Sequence, residues 1–217
     1  MDSLTAAERA AFLAAGTRMQ YEHESTLILQ GNMDREVYLL VDGFVRVTAT
    51  SDTGNTALLA FRAKGDLVGE FSVLDEKPRS ATVEAVGALV AVRISEVRFW
   101  RLLNEAPGIH HKITKSVLLK MRMATGHRVA SRALDARGRL ARVLYELSRR
   151  HGVPKKEGIE ITLPITQFEL GALASVSEST TERILKDFRE SGLIRTHYRR
   201  VLILKTEELK RSAQSIE

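Results

Sequence analysis

Two hydrophobic patterns divide the chain. From Gln20 to Ile94, short runs rich in Val, Leu, Thr and Phe are broken by Gly31, Gly43, Gly54 and Gly65, which recur every 11 or 12 residues. Such spacing predicts a multi-strand all-β sandwich or barrel. Within Val37–Val47, Asp42-Gly43 sits between two apolar runs. Asp-Gly supplies the positive φ of a type I′ turn, so a hairpin is predicted there. A second is predicted at Ser51–Asn55, around Asp52 and Gly54. Val90, Val92 and Ile94 alternate with Ala91 and Arg93, as in a half-buried strand.

After Ile94 the period becomes helical. Ser95 is placed to cap a short helix to about Leu103, and Pro107 suits the first turn of a longer one ending near Leu134. Ile109, Ile113, Val117, Met121 and Ala124 recur along it at steps of four or three, while Leu118, Leu119 and Met123 form a second apolar face. A helix apolar on two sides needs two partners. We read one face as packing on the β domain and the seam from Ile109 to Ala124 as meeting a twin helix in a homodimer; a single buried helix in a monomer is the alternative.

Asp135 is a cap for a further helix carrying Leu140, Val143, Leu144 and Leu147, and His151–Gly158 reads as a loop. Ile159, Ile161 and Leu163 then make a short strand. Thr166–Ala174 and Glu178–Glu190 are two helices joined by Ser175-Val176-Ser177, with Ser177 as N-cap of the second. Ile184, Leu185 and Phe188 face inward, which leaves Glu178, Ser179, Thr181, Glu182, Arg183 and Lys186 outward. A tight turn followed by a helix with a polar start is what a helix-turn-helix needs to enter the major groove, about 12 Å wide. Arg195–Arg200 and Val201–Leu204 read as a hairpin with a basic tip, in which Arg199 and Arg200 are available for phosphates. The candidate DNA-binding residues are Thr166, Gln167, Ser177, Glu178, Ser179, Thr181, Arg183, Lys186, Arg199 and Arg200.

Charge agrees with this reading. The net charge is +6, and division at Leu134 leaves +2 before it (17 basic, 15 acidic) and +4 after it (16 basic, 12 acidic). The shorter piece is the more basic, as phosphate contacts require. The absence of cysteine excludes disulfides, thiolate metal sites and cysteine nucleophiles. Met1–Gly16 carries Asp2, Glu8 and Arg9 among its alanines and lacks the form of a secretory signal, so a cytoplasmic protein with no membrane partner is expected. The histidines show neither His-x-His nor His-Glu-x-x-His spacing; neither a metal site nor an enzyme is expected.

The stretch Gly65–Val83 carries the candidate ligand chemistry. Gly69 permits close backbone approach, Glu70 offers acceptors for sugar hydroxyls, and Arg79 with the amides near Ser80 and Ala81 suits an anionic phosphate. Inside a glycine-punctuated β domain, this pattern resembles the phosphate-binding cassette of cyclic-nucleotide-binding domains. With the downstream helices, the chain from about Leu13 to Leu204 resembles the family of the catabolite activator and the fumarate-nitrate regulator.

The resemblance implies an α+β fold: a cyclic-nucleotide-binding β-roll with flanking short helices over 1–106, a long dimerisation helix over 107–134, and a winged helix-turn-helix over 135–217. It implies an allosteric cyclic nucleotide rather than a cofactor, cAMP before cGMP, with Glu70 on the ribose hydroxyl, Arg79 and Ser80 on the phosphate, and Gly69, Phe71 and Ala81 lining the site. It further implies an activator on roughly palindromic duplex DNA, with RNA polymerase as partner. A constitutive DNA-binding dimer with an inert or differently liganded roll is the alternative. Two departures stand out. Where the family's catabolite activator has a Thr-Ser pair reaching the adenine, this chain has Ala124 and Thr125. Where its recognition helix has Arg, Glu and a second Arg, this chain has Glu178, Ser179 and Arg183, so a different operator sequence is expected.

Overall fold

Alternation of side chains across a pleated strand gives the N-terminal sheet two buried faces. The computed structural model, which describes residues 5–214, divides into two compact units, Met1–Met123 and Ala124–Glu217. In the first, α1 (Ala6–Ala15) starts at a Thr5/Glu8 capping box. It leads into β1 (Thr17–Tyr21), β2 (Thr26–Ile28), β3 (Val37–Thr50), β4 (Thr56–Ala63), β5 (Leu67–Val68), α2 (Glu70–Asp75), β6 (Thr82–Ile94) and α3 (Glu96–Glu105). The sheet runs β1-β6-β3-β4, with β2 also pairing β6 and β5 pairing β3, all antiparallel. Tyr38, Leu40, Leu89 and Ala91 point into the roll with Leu27, Val45 and Val83. Val37, Leu39, Val92 and Ile94 point the other way, onto Phe12 of α1 and Phe99, Leu102 and Leu103 of α3. Two buried faces are why Val37–Val41 reads as an unbroken apolar run, and why Ala91 is as deeply buried as Val92.

The predicted hairpin at Asp42-Gly43 does not form. β3 passes straight through it, with register shifts at Leu40/Asp42 and Asp42/Phe44 against β6. Gly43 has φ +87°, and a Cβ there would lie 2.4 Å from the Ala88 carbonyl oxygen. The positive φ that Asp-Gly supplies therefore serves a β-bulge at a close backbone approach instead of a turn. The Ser51–Asn55 hairpin forms as expected, closed by Ser51 N–H to the Asn55 carbonyl (2.9 Å).

The long helix α4 (Pro107–Ala133) crosses the division between the units at Met123/Ala124. Its seam turns out differently. Ile109 and Ile113 are fully buried in the first unit's core, with Val117 packed against it. They face their own roll, not a twin. The exposed apolar positions are Leu118, Leu119, Met121 and Val129, at 52–58%. Thr114, Leu118, Met121, Thr125 and Val129 follow steps of four, three, four and four along a single stripe; of the predicted seam only Met121 lies on it, and Ala124 is exposed off it.

The second unit continues with α5 (Ala136–His151), whose Asp135 cap accepts from Gly138 N–H at 2.7 Å. It goes on through β7 (Gly152–Lys155), β8 (Gly158–Ile161), α6 (Gln167–Ala174), α7 (Glu178–Glu190), β9 (Ile194–His197), β10 (Arg200–Ile203) and α8 (Thr206–Ser212). Part of the expected loop at His151–Gly158 is strand β7, the edge of a sheet ordered β7-β8-β10-β9. Pro154 is tolerated there because an edge strand needs no ladder donor on its open side. No described helix is long and apolar enough to cross a membrane.

Gly43→Ala and Gly54→Ala separate conformational strain from collision. Both glycines have φ above +80°, but nothing lies within 4 Å of a Cβ at Gly54. Urea unfolding followed through Trp100, which packs on the first unit's core, should show a loss of about 1 kcal/mol for Gly54→Ala and about 2–4 kcal/mol for Gly43→Ala.

Candidate ligand cassette and DNA-reading surface

Gly69 is the pivot of the cassette. Its φ of +86° turns β5 into α2, and a Cβ on it would meet the Glu36 carbonyl at 2.7 Å, Arg79 Nη1 at 2.8 Å and Ile28 Cδ1 at 2.9 Å. The close approach predicted for this glycine is thus to the protein's own guanidinium. Arg79 is only 3% exposed, and all five of its N–H donors are committed. Nε donates to Asp34 Oδ1 (2.9 Å), Nη1 to the Gly69 carbonyl (2.8 Å) and Ser72 Oγ (2.7 Å), and Nη2 to the Glu36 carbonyl (2.7 Å) and to Asp34. Asp34 supplies the counter-charge.

Glu70, 2% exposed, is likewise engaged. Its Oε1 accepts from Lys120 Nζ at 2.6 Å; the same ammonium donates to the Leu67 carbonyl at 2.6 Å and stands 5.8 Å from the Phe71 ring centroid. Lys120 comes from the roll-facing side of α4 and so ties that helix to the cassette. Of the predicted ligand residues, Gly69, Glu70, Phe71, Arg79, Ser80 and Ala81 come together in the first unit, with Ser80 exposed and Ala81 buried. Ala124 and Thr125 belong to the second unit and are exposed. Asp34, Ser72 and Lys120 were missed. A lysine one turn beyond Val117 on an apolar stripe was the available signal for Lys120; nothing local marks Asp34, whose role exists only once the connection 29–36 lies beside Arg79.

In the second unit, Thr166 and Glu169 form a capping box on α6, and Ser177 caps α7 by accepting from Thr180 N–H at 3.4 Å. Ser175, at φ +52°, makes the turn, and Val176 N–H donates to the Gly171 carbonyl (2.9 Å). Arg139 of α5 pins the end of α6 by donating to the carbonyls of Ala174 (2.9 Å) and Ser175 (3.2 Å). Gln167, Glu178, Ser179, Glu182, Arg183 and Lys186 are exposed as predicted, whereas Thr166 and Ser177 spend their hydroxyls on capping. Thr181 does not face outward as its sequence predicts. It is fully buried, donates to the Ser177 carbonyl (2.9 Å), and sits where a Cβ on Gly171 would come within 2.5 Å of its Oγ1, so it sets the spacing of the two helices and does not reach a base.

The β9–β10 hairpin forms the wing. Arg199 has φ +53° at its tip beside the exposed Tyr198. Arg200 pairs with Glu160 of β8 at 3.0 Å, and that bond, followed by Lys155, holds the Glu160 carboxyl below its usual range.

Residues 18–106 match the family described as cyclic nucleotide-binding domain, and residues 138–212 match the Crp-like helix-turn-helix domain. The cAMP-activated global transcriptional regulator CRP of Salmonella typhimurium is 30% identical over 190 residues, 86% of this chain and 89% of that protein. The chain belongs to the CRP/FNR family of transcription regulators. The CRP-like cAMP-activated global transcriptional regulator of Mycobacterium tuberculosis is 25% identical over 189 residues, 87% of this chain and 84% of that one. The structure of the c-di-GMP responsive global regulator CLP of Xanthomonas campestris shares the fold, with a TM-score of 0.75 at 22% identity over 92% of this chain and 99% of that one. This CRP/FNR chain thus carries a cyclic-nucleotide-binding roll and a helix-turn-helix in the order its sequence implies.

Lys120→Met should leave the Glu70 carboxylate buried without its partner, at a cost of about 3 kcal/mol. Adding Glu70→Gln should recover much of that loss. Urea unfolding of the two single variants and the double variant, followed through Trp100, measures the coupling; a coupling near zero would remove the tie between helix and cassette.

Proposed function

We propose that this regulator is a homodimer whose affinity for duplex DNA is set by a cyclic nucleotide, cAMP before cGMP, bound at the cassette. One observation carries the reading: two charged side chains, Glu70 and Arg79, are held at 2–3% exposure among buried residues of the roll that, Ser72 apart, are apolar, beside a glycine that no other residue could replace without collision. Burying charge is costly, and a scaffold would be served as well by apolar residues. The cAMP-activated relatives support the choice of nucleotide. Under this reading the ligand shifts an equilibrium between two arrangements of the dimer, and only one of these presents its recognition helices to successive major grooves, about 34 Å apart on a roughly palindromic site. Arg183 reads a guanine, Glu178 accepts from a cytosine amino group, and Arg199 holds a phosphate. The role is regulatory, with no catalytic step.

A second reading is favoured by the full commitment of Arg79 and Glu70 to protein partners: a constitutive DNA-binding dimer whose roll is inert or takes another effector. The c-di-GMP responsive neighbour with the same fold gives that reading substance.

Fluorescence anisotropy on a selected operator separates the two. cAMP should tighten DNA binding of the wild type by a factor of about 5–150 and leave Arg79→Leu unchanged. Equal affinities with and without nucleotide would favour the constitutive dimer. The dimer is tested separately. Leu118→Glu with Met121→Glu, both on the exposed stripe of α4, should yield a monomer by light scattering and abolish operator binding, whereas a wild type that is monomeric at micromolar concentration would contradict the assignment.

A further inference from the structure

The connection 29–36, between β2 and β3, lies against Arg79 along its length. Gly31 N–H donates to the Arg79 carbonyl (2.9 Å), Arg79 N–H donates to the Asn32 carbonyl (2.9 Å), the Asp34 carboxylate accepts from Nε and Nη2, and the Glu36 carbonyl accepts from Nη2 (2.7 Å). Asp34 differs from the other acceptors. It alone is charged, and its side chain is 42% exposed while that of Arg79 is 2% exposed. A carboxylate at the solvent edge of a buried guanidinium, its single oxygen Oδ1 accepting from both Nε and Nη2, has the charge of a bound phosphate and takes the two donors that one phosphate oxygen would take. Across the cassette Lys120 does the converse, filling Glu70 with a cation where a sugar hydroxyl would donate.

We propose that Asp34 is a resident anion of the cassette, and that a phosphate-bearing ligand binds by exchange with it at Arg79, so that Asp34 sets the ligand affinity. The proposal rests on reading the cassette as the ligand site. The exchange is local. The Gly69 and Glu36 carbonyls and Ser72 remain on Arg79 to hold the guanidinium in place, and the incoming anion takes over the Nε and Nη2 donors as Asp34 turns into water. Because a full negative charge has to leave as another arrives, the exchange discriminates against neutral ligands, and it weakens binding of anionic ones relative to an empty arginine. Asp34 thereby raises the ligand concentration at which the site fills, without any change in the residues that touch the ligand.

Titration calorimetry on the full chain tests this, with cAMP, cGMP and inorganic phosphate against wild type, Asp34→Asn and Asp34→Ala, each also combined with Arg79→Leu. Asn keeps an acceptor for Nε while removing the charge, so one variant retains the packing of the connection even where Ala loosens it. Asp34→Asn should bind cAMP at least about ten-fold more tightly than wild type, equivalent to about 1.4 kcal/mol, and Arg79→Leu should erase the gain. Equal affinity of wild type and both Asp34 variants for cAMP overturns the role of Asp34 and leaves the nucleotide reading standing. Phosphate bound by the Asp34 variants alone, with no nucleotide bound by any protein, upholds Asp34 as the resident anion and overturns the nucleotide reading. No anion bound by any of them overturns both.

Discussion

A guanidinium inside an apolar roll is tolerated only if each of its N–H groups finds an acceptor and its charge finds a counter-charge. Much of the first unit is arranged to meet that demand at Arg79. Gly69 takes a left-handed conformation so that its carbonyl reaches Nη1; α2 begins there, and its first turn brings Ser72 to the same nitrogen. The connection 29–36 folds down to supply Asp34 and the Glu36 carbonyl. Glu70, immediately after the pivot, is buried as a consequence and obtains Lys120 from α4. One arginine thereby fixes a glycine, a helix start, a connection and a lysine on the long helix.

The long helix serves two surfaces because 3.6 residues per turn separates its positions cleanly. Ile109, Ile113 and Val117 are spaced at four, Lys120 follows at three, and all fall on the roll side. Leu118 and Met121 are rotated away and remain uncovered. On the proposed reading, a ligand that competes for Glu70 pulls on the same side chain that fastens α4 to the roll, and the uncovered stripe is where a second copy would meet it. Site and helix are coupled through an ion pair, with no need for a longer route.

Much of this was legible in the residues. Helix boundaries followed from local chemistry: Thr166, Ser177 and Asp135 cap as their side chains allow, and Asp52 with Gly54 marks the first real hairpin. Gly69, Glu70 and Arg79 were legible as a cassette through their resemblance to cyclic-nucleotide-binding domains, since a glycine beside a glutamate and an arginine beside a serine are commonplace outside a glycine-punctuated β domain. The failures share one cause. Asp42-Gly43 reads as a turn because a positive φ looks the same locally whether the chain reverses or bulges past Ala88. Ile109, Ile113 and Val117 read as a seam because periodicity gives a face but not its partner. Thr181 looked outward because a polar residue at a helix start is ordinarily solvated, and only the neighbouring Gly171 reveals that the two helices meet there. Asp34 left no trace at all, since its meaning depends on a residue 45 positions away.

On the proposed reading, the buried guanidinium of Arg79 is where the ligand's negative charge is received. The Arg79 side-chain Nε–Hε resonance, assigned by comparison with Arg79→Leu, reports this directly in a nitrogen-proton spectrum of the full chain titrated with cAMP. This resonance should move to a new position and saturate together with the backbone amides of Ser80 and Ala81. Saturation of those amides with the Arg79 resonance unmoved would contradict it.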